Sequence, residues 1–133
     1  MQNSSYVDAL VKGRAAAEGI PDALDAVMAI VRPVVECNRT QIDNGRTYLR
    51  EIVFGDPDEP YHRDALALTV QTEEAIATVL QRGQRTSPGE AATLARIVSA
   101  IMFLSMAATI NIARSVDEIL EDVRGQVRVL LSH

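Results

Sequence analysis

The feature that most restricts the fold is a run of seventeen residues, 97–113, that contains no charged side chain. Arg96 and Arg114 flank the run, and two serines, a threonine and an asparagine interrupt it. A membrane-spanning helix needs about 20 apolar residues, so the run is short for that purpose. A helix buried on all sides in a soluble assembly has the same composition. We therefore expect a soluble, cytoplasmic protein in which this helix is covered, with a membrane span as the alternative.

The composition favours one helical domain. A chain of 133 residues has the usual length of a single domain. Its apolar fraction is 47%, which excludes a disordered polymer, and only 4% of the residues are aromatic. Aliphatic side chains of this kind suit helix packing better than a β-sandwich. The fold class is therefore predicted to be all-α.

The charge balance argues against nucleic-acid binding by this chain itself. The formal net charge is -5, and Lys12 is the single lysine. Because nucleic-acid binding draws most of its affinity from Lys and Arg on phosphates, an acidic domain is a poor candidate for that role. Cys37 has no partner for an internal disulfide and is predicted to be a buried thiol in a reducing cytoplasm.

Start and stop signals predict six helices and no strand. The segments Ser87-Pro88-Gly89-Glu90 and Ser115-Val116-Asp117-Glu118 have the spacing of capping boxes. Ser4-Ser5 is predicted to cap the first helix, Pro21 to begin the second, and Pro33 to kink it. The predicted helices lie at about 6–17, 21–42, 46–54, 61–82, 88–113 and 115–131.

Apolar spacing predicts which face of each helix is buried. In the first helix it allows two stripes: Tyr6, Leu10 and Ala17, or Val7, Leu10 and Val11. In the helix at 61–82, the predicted stripe comprises Leu66, Val70, Ala77 and Leu80, widened by Leu68, Ile76 and Val79.

The last two predicted helices have more apolar surface than one core needs. In the final helix the apolar stripe comprises Val116, Ile119, Leu120, Val123, Val127 and Leu130. Such a surplus is typical of an isologous dimer interface, so we expect both helices to pair with their copies in a four-helix bundle. The alternative is that both pack inside a monomer. The residues predicted for the interface are Ile97, Ile101, Ile119, Val123, Val127 and Leu130.

No set of residues predicts an enzyme or a cofactor. Glu59 and His62 have the Glu-x-x-His spacing of carboxylate-bridged metal bundles, but that chemistry needs a second such motif and two further glutamates. With His62 and the terminal His133 as the only histidines, no nucleophile and base can be paired. We predict no catalytic residue, no metal and no cofactor.

The remaining candidate is an apolar ligand pocket between the helices. Methionines and large side chains suit such a pocket, although the same residues also suit a plain core. The predicted ligand-binding residues are Met28, Val31, Val35, Tyr48, Ile52, Thr72, Phe103 and Met106. Polar residues in otherwise apolar stretches could orient a ligand: Asn38, Gln71, Thr72, Thr109 and Asn111.

The order of these helices resembles the C-terminal regulatory domain of tetracycline-repressor (TetR) family transcription factors. The segment 73–83, which ends at Gly83, is similar to the helix that precedes that family's dimerisation pair. Ser87-Pro88-Gly89-Glu90-Ala91-Ala92 and two strongly apolar helices then follow, as they do in the family. The resemblance covers nearly the whole chain.

The resemblance implies a homodimer that binds a small apolar effector and thereby changes the spacing of two DNA-binding domains. The family's N-terminal helix-turn-helix is not found in these residues, and the segment 5–11 resembles the start of the connecting helix that follows it. DNA would therefore be contacted only through a preceding domain. The alternative function is a standalone helical dimer that acts as a protein-interaction module without a pocket.

Overall fold

The described residues of the computed structural model are 2–40, 56, 58, 60–82, 86–107 and 113–132. They form five α-helices and no strand, which confirms the predicted all-α class. The predicted helix at 46–54 lies outside the described residues. The helices are α1 (Gln2–Glu18), α2 (Ala23–Thr40), α3 (Pro60–Gln81), α4 (Pro88–Ala107) and α5 (Val116–Leu131).

The helices run alternately up and down. At one end of the bundle, the Tyr6 hydroxyl near the start of α1 donates to Asn38 Oδ1 near the end of α2, at 3.3 Å. We call this the upper end. At the other, lower end, the Arg82 side chain after α3 donates to the Ile20 carbonyl oxygen, at 3.0 Å. α3 therefore ends where α1 ends, and both helices are antiparallel to α2.

α5 packs antiparallel to α2 and is tied to it by two exposed ion pairs. Arg124 Nη2 lies 2.7 Å from Asp25 Oδ1, and Arg32 Nη1 lies 3.4 Å from Asp117 Oδ1. Exposed pairs such as these contribute little free energy, about 0–1 kcal/mol each. Their value here is that they fix the direction of α5, whose first turn lies beside the middle of α2.

Two predicted helix starts are corrected by the structure. Ser4-Ser5 lies inside α1 rather than before it, because the helix already includes Gln2. α2 begins at Ala23 rather than Pro21, because the Asp22 carboxylate accepts the backbone N–H of Asp25 at 2.9 Å. That bond satisfies one of the free donors in the first turn, as a capping side chain does.

The predicted capping box at the start of α5 is confirmed. The Ser115 hydroxyl accepts the Glu118 backbone N–H, and the Glu118 carboxylate accepts the Ser115 backbone N–H, both at 3.1 Å. These hydrogen bonds from Ser115 lower the pKa of Glu118. Arg114 forms an ion pair with Asp122 one turn further along and lowers the pKa of that carboxyl. Negative charge thus remains at the positive end of the helix dipole.

α1 and α2 approach each other closely at Gly13. A Cβ atom on Gly13 would lie 2.9 Å from Ile30 Cα and 3.2 Å from the Ala29 carbonyl oxygen. Pro33 lies inside α2, which continues through it, and has no N–H to offer that carbonyl. At the close approach, the Gly13 backbone therefore packs beside the Ala29 carbonyl oxygen, which lacks the usual helical hydrogen bond from residue 33.

The core selects one of the two stripes predicted for α1. Tyr6, Leu10 and Ala17 are buried, whereas Val7 and Val11 are exposed. α1 lies on α2 and α3, and the face that meets them also contains Gly13.

The stripe predicted for α3 is partly wrong. Leu66 and Val70 are both 44% exposed. The buried face is centred instead on Thr72 and Ile76, roughly a third of a turn away. The reason is tertiary: α1, α2 and α4 all contact α3 and together decide which face is covered.

The apolar helix α4 supplies much of the core. Its buried residues are Ala91, Ala95, Val98, Ser99, Met102 and Met106. By length and composition alone, the segment Pro88–Met106 could cross a membrane, and 33% of it is buried inside the bundle. The remaining predicted residues up to 112 lie outside the described part of the chain.

Three residues predicted for the dimer interface lie in the core of the single chain instead. Ile119, Val123 and Val127 are at most 3% exposed. They form the inner face of α5, which packs on α2 and α4. These three side chains have no surface left for contact with a second copy.

Candidate functional site

Polar side chains are buried at one level of an otherwise aliphatic core. The first two are Tyr6 on α1 and Asn38 on α2, each 5% exposed and joined by the hydrogen bond described above. Val34 and Val35, one turn below Asn38, are also buried. The pair therefore lies within the hydrophobic core near the upper end of the bundle.

Two buried threonines of α3 lie at this level and about one turn below it. Arg82, which follows α3, is hydrogen-bonded to Ile20, which follows α1. A residue of α3 and a residue of α1 that precede Arg82 and Ile20 by the same number of positions therefore lie at the same height in the bundle. By this count Thr69 lies level with Val7, and Thr72 about one turn lower. Thr69 is 9% exposed and Thr72 is 5% exposed. The Thr72 hydroxyl donates to the Leu68 carbonyl oxygen, at 2.9 Å.

A buried serine of α4 completes this level. α4 begins at Pro88, shortly after α3 ends at Gln81, and the two helices are antiparallel neighbours. Ser99 follows Pro88 by as many residues as Val70 precedes Gln81, so by the same count Ser99 lies between the heights of the two threonines. It is only 2% exposed. We call this set the polar layer: Tyr6, Asn38, Thr69, Thr72 and Ser99.

Two members of the polar layer have unused hydrogen-bonding groups. Within the described part of the chain, the amide N–H groups of Asn38 find no acceptor, and the Ser99 hydroxyl makes no hydrogen bond. A buried polar group without a partner costs about 1–3 kcal/mol. Native proteins accept this cost rarely, and usually where a water molecule or a ligand supplies the partner.

The polar layer is uncharged. Among the described residues, the buried polar side chains are amides and hydroxyls, with no carboxylate, ammonium or guanidinium. Cys37 lies beside Asn38 on α2 and is half-buried; burial, and secondarily the charge of Asp8, raises its pKa. The thiol is therefore held in its neutral form and adds no charge to this region.

The structure places the predicted ligand-binding residues in three groups. Val35, Thr72 and Met106 are buried in the upper half of the bundle, with Phe103 partly buried beside the core. Val31 is buried near the middle. The other predicted residues are elsewhere: Met28 lines a surface cleft between α2 and α5, and Tyr48 and Ile52 lie outside the described residues.

The polar residues predicted to orient a ligand divide similarly. Asn38 and Thr72 belong to the polar layer. The prediction for Gln71 is wrong, because its side chain is exposed on the outer face of α3. Thr109 and Asn111 lie outside the described residues.

Sequence reasoning missed three members of the polar layer as site residues. Tyr6 was assigned to an apolar stripe, and Ser99 to an interruption of an apolar run. The apolar stripe predicted for α3 does not include Thr69. The spacing Thr69 and Thr72 at i and i+3 places both hydroxyls on one helix face, which is the signal that could have found them.

Two surface clefts are further candidates. The cleft between α2 and α5 has a volume of about 340 Å³ and is lined by Met28, Leu120, Arg32, Arg124, Asp117 and Glu121. Its arginines are already engaged in the ion pairs that tie α5 to α2. A second cleft, of about 520 Å³, lies between the start of α4 and the end of α5, over Leu94, Leu130 and Leu131.

The described residues bring no three metal-ligating side chains together. The Glu59 and His62 side chains, which have metal-motif spacing, lie outside the described set. Comparison with known proteins gave no family model, no curated protein and no solved structure that matches this chain.

Proposed function

We propose that this chain is the effector-binding and dimerisation domain of a TetR-like transcriptional regulator of the cytoplasm. Its effector is a small, largely apolar molecule that binds at the polar layer. DNA is contacted by a helix-turn-helix domain that precedes this one in the regulator. The observation that carries the proposal is the polar layer itself: buried polar groups, two of them with unused hydrogen-bonding groups, lie on four helices of an otherwise aliphatic core.

Binding between helices suits a sensor because the same helices lead to the subunit interface. α4 supplies Ser99 and Met102 to the core, and its opposite side faces outward. A ligand that binds one arrangement of α1 to α4 better than another shifts the population of that arrangement. In a dimer built on α4, that shift changes the relative positions of the two subunits.

The outer faces of α4 and α5 support a dimer. Ile97 and Leu104 on α4 are 40% and 68% exposed, and Val129 on α5 is 57% exposed. Ala100 lies between the first two along the helix and is also exposed. A Cβ atom on Gly125 of α5 would meet nothing within 4 Å, so a second helix can approach there. A stable dimer buries about 800 Å² per partner, which requires faces of both helices.

Replacing Val129 with glutamate is expected to convert the dimer to a folded monomer. The charge would be buried between two copies without a partner, while the single chain keeps its core because Val129 is exposed there. Sedimentation equilibrium at micromolar concentration measures the effect, with circular dichroism as the check on folding.

The matched control is Val11→Glu, which places the same charge on an equally apolar position of α1 that is 62% exposed. This variant is expected to remain dimeric. A monomeric wild-type protein, or a dimer broken by Val11→Glu and not by Val129→Glu, would contradict the proposed interface. A wild-type protein that is dimeric but is stabilised by no small molecule would favour the alternative function, a protein-interaction module without a pocket.

A further inference from the structure

The polar layer restricts the chemistry of its ligand because it holds no charge. Among the described residues, every buried polar side chain is an amide or a hydroxyl. An ionised group brought among these described residues would lose its hydration and meet no counter-charge from them, which is costly. The described surroundings therefore select an uncharged molecule.

The unused groups also restrict the ligand's polar atoms. The Asn38 carboxamide oxygen already accepts a hydrogen bond from Tyr6. Its two amide N–H groups remain, with no acceptor within the described part of the chain, and the Ser99 hydroxyl is without a partner there as well. What these donors lack is an acceptor, and a carbonyl oxygen with two lone pairs supplies one.

We propose that the effector is a neutral molecule with a carbonyl oxygen, and that Asn38 Nδ2 donates to this oxygen inside the bundle. The aliphatic residues one turn away, Val34, Val35 and Met102, pack around its hydrocarbon part. This inference rests on the proposed function, because it takes the polar layer to be the effector site. It adds the chemical class: an apolar ketone, ester or amide, rather than a hydrocarbon, a carboxylate or an amine.

Three probes of nearly the same shape test the inference. Acetophenone has the carbonyl oxygen, α-methylstyrene replaces that oxygen with a CH₂ group, and benzoate replaces the methyl ketone with a carboxylate. Each is titrated into the full chain labelled with ¹⁵N, and the side-chain amide resonances of Asn38 are followed. Acetophenone is expected to shift these resonances and to bind about tenfold more tightly than α-methylstyrene, the effect of one added hydrogen bond. Benzoate is expected to leave them unchanged.

The double variant Tyr6→Phe with Asn38→Leu removes both members of the hydrogen-bonded pair, so neither is left without its partner. Because Ser99 remains, the variant is expected to reduce the preference for acetophenone over α-methylstyrene severalfold rather than to abolish it. If the double variant does not fold, Ser99→Ala tests the second donor and is expected to reduce the preference for acetophenone severalfold. Its control is Thr93→Val, which removes an exposed hydroxyl of the same helix and is expected to change nothing.

The possible outcomes distinguish a failure of this inference alone from a failure of the proposed function. Equal binding of acetophenone and α-methylstyrene by the wild type would overturn the inference and leave an apolar effector site. Tightest binding of benzoate would overturn it in favour of an anionic ligand. If none of the probes shifts a resonance of the polar layer, the layer is closed to ligands, and both the inference and its basis in the proposed function fail.

Discussion

Replacing Val123 with aspartate is expected to unfold the chain, with a loss of about 4 kcal/mol or more in the free energy of unfolding. Val123 is 0% exposed and belongs to the core cluster that joins α5 to the rest of the bundle. An aspartate there must be buried as a charge or take up a proton, and either costs free energy. Urea denaturation followed by circular dichroism measures the loss.

The same variant decides between two roles for the inner face of α5. If Val123 belonged to a subunit interface, Val123→Asp would give a folded monomer, as Val129→Glu is expected to do. A folded, monomeric Val123→Asp protein would therefore contradict the packing of α5 described above. Val123→Ala is the milder companion, and it is expected to remain folded with a loss of about 1–3 kcal/mol.

Replacing Gly13 with alanine is expected to lower the free energy of unfolding by about 2 kcal/mol. The new methyl group would lie 2.9 Å from Ile30 Cα, and because this is a backbone atom it cannot rotate away. α1 and α2 must then separate by a few tenths of an ångström, which loosens contacts along both helices. This loss exceeds the gain of roughly 1 kcal/mol that alanine brings over glycine within a helix.

Gly89→Ala is the control for Gly13→Ala. Both glycines lie within helices, but a Cβ atom on Gly89, in the first turn of α4, meets nothing within 4 Å. In the single chain this change is expected to stabilise by about 0.5–1 kcal/mol through the unfolded state and helix propensity. If Gly13→Ala lowers the free energy of unfolding and the control raises it, the close approach of α1 and α2 is supported. Equal stabilisation by both variants would contradict it.

The sequence predicted where helices lie more reliably than which way they face. The capping box at Ser115 and the long helix at 61–82 were predicted correctly because local hydrogen bonds and helix-forming residues decide them. The buried face of α3 was predicted partly wrongly because Leu66 and Thr72 lie about a third of a turn apart, and only the positions of the neighbouring helices decide which of them is covered. The inner face of α5 was assigned to a partner for the same reason.

The polar layer shows the same limit at the level of the site. Asn38 and Thr72 attract attention in a sequence because they interrupt apolar stretches. Their height relative to Tyr6 and Ser99 depends on how the four helices are positioned along one another, and contacts between distant parts of the chain, such as Arg82 with Ile20, contribute to that positioning. Periodicity within one helix contains no information about that level.

The most direct test of the proposed function is a native mass spectrum of the protein isolated from the cells that produce it. We expect a species with two copies of the chain, and a bound small molecule that is neutral when released and contains a carbonyl oxygen. The spectrum of the Tyr6→Phe, Asn38→Leu double variant should show the dimer with less of the small molecule bound. Single chains that remain free of any small molecule, even after incubation with an extract of the cell's metabolites, would contradict the proposed function.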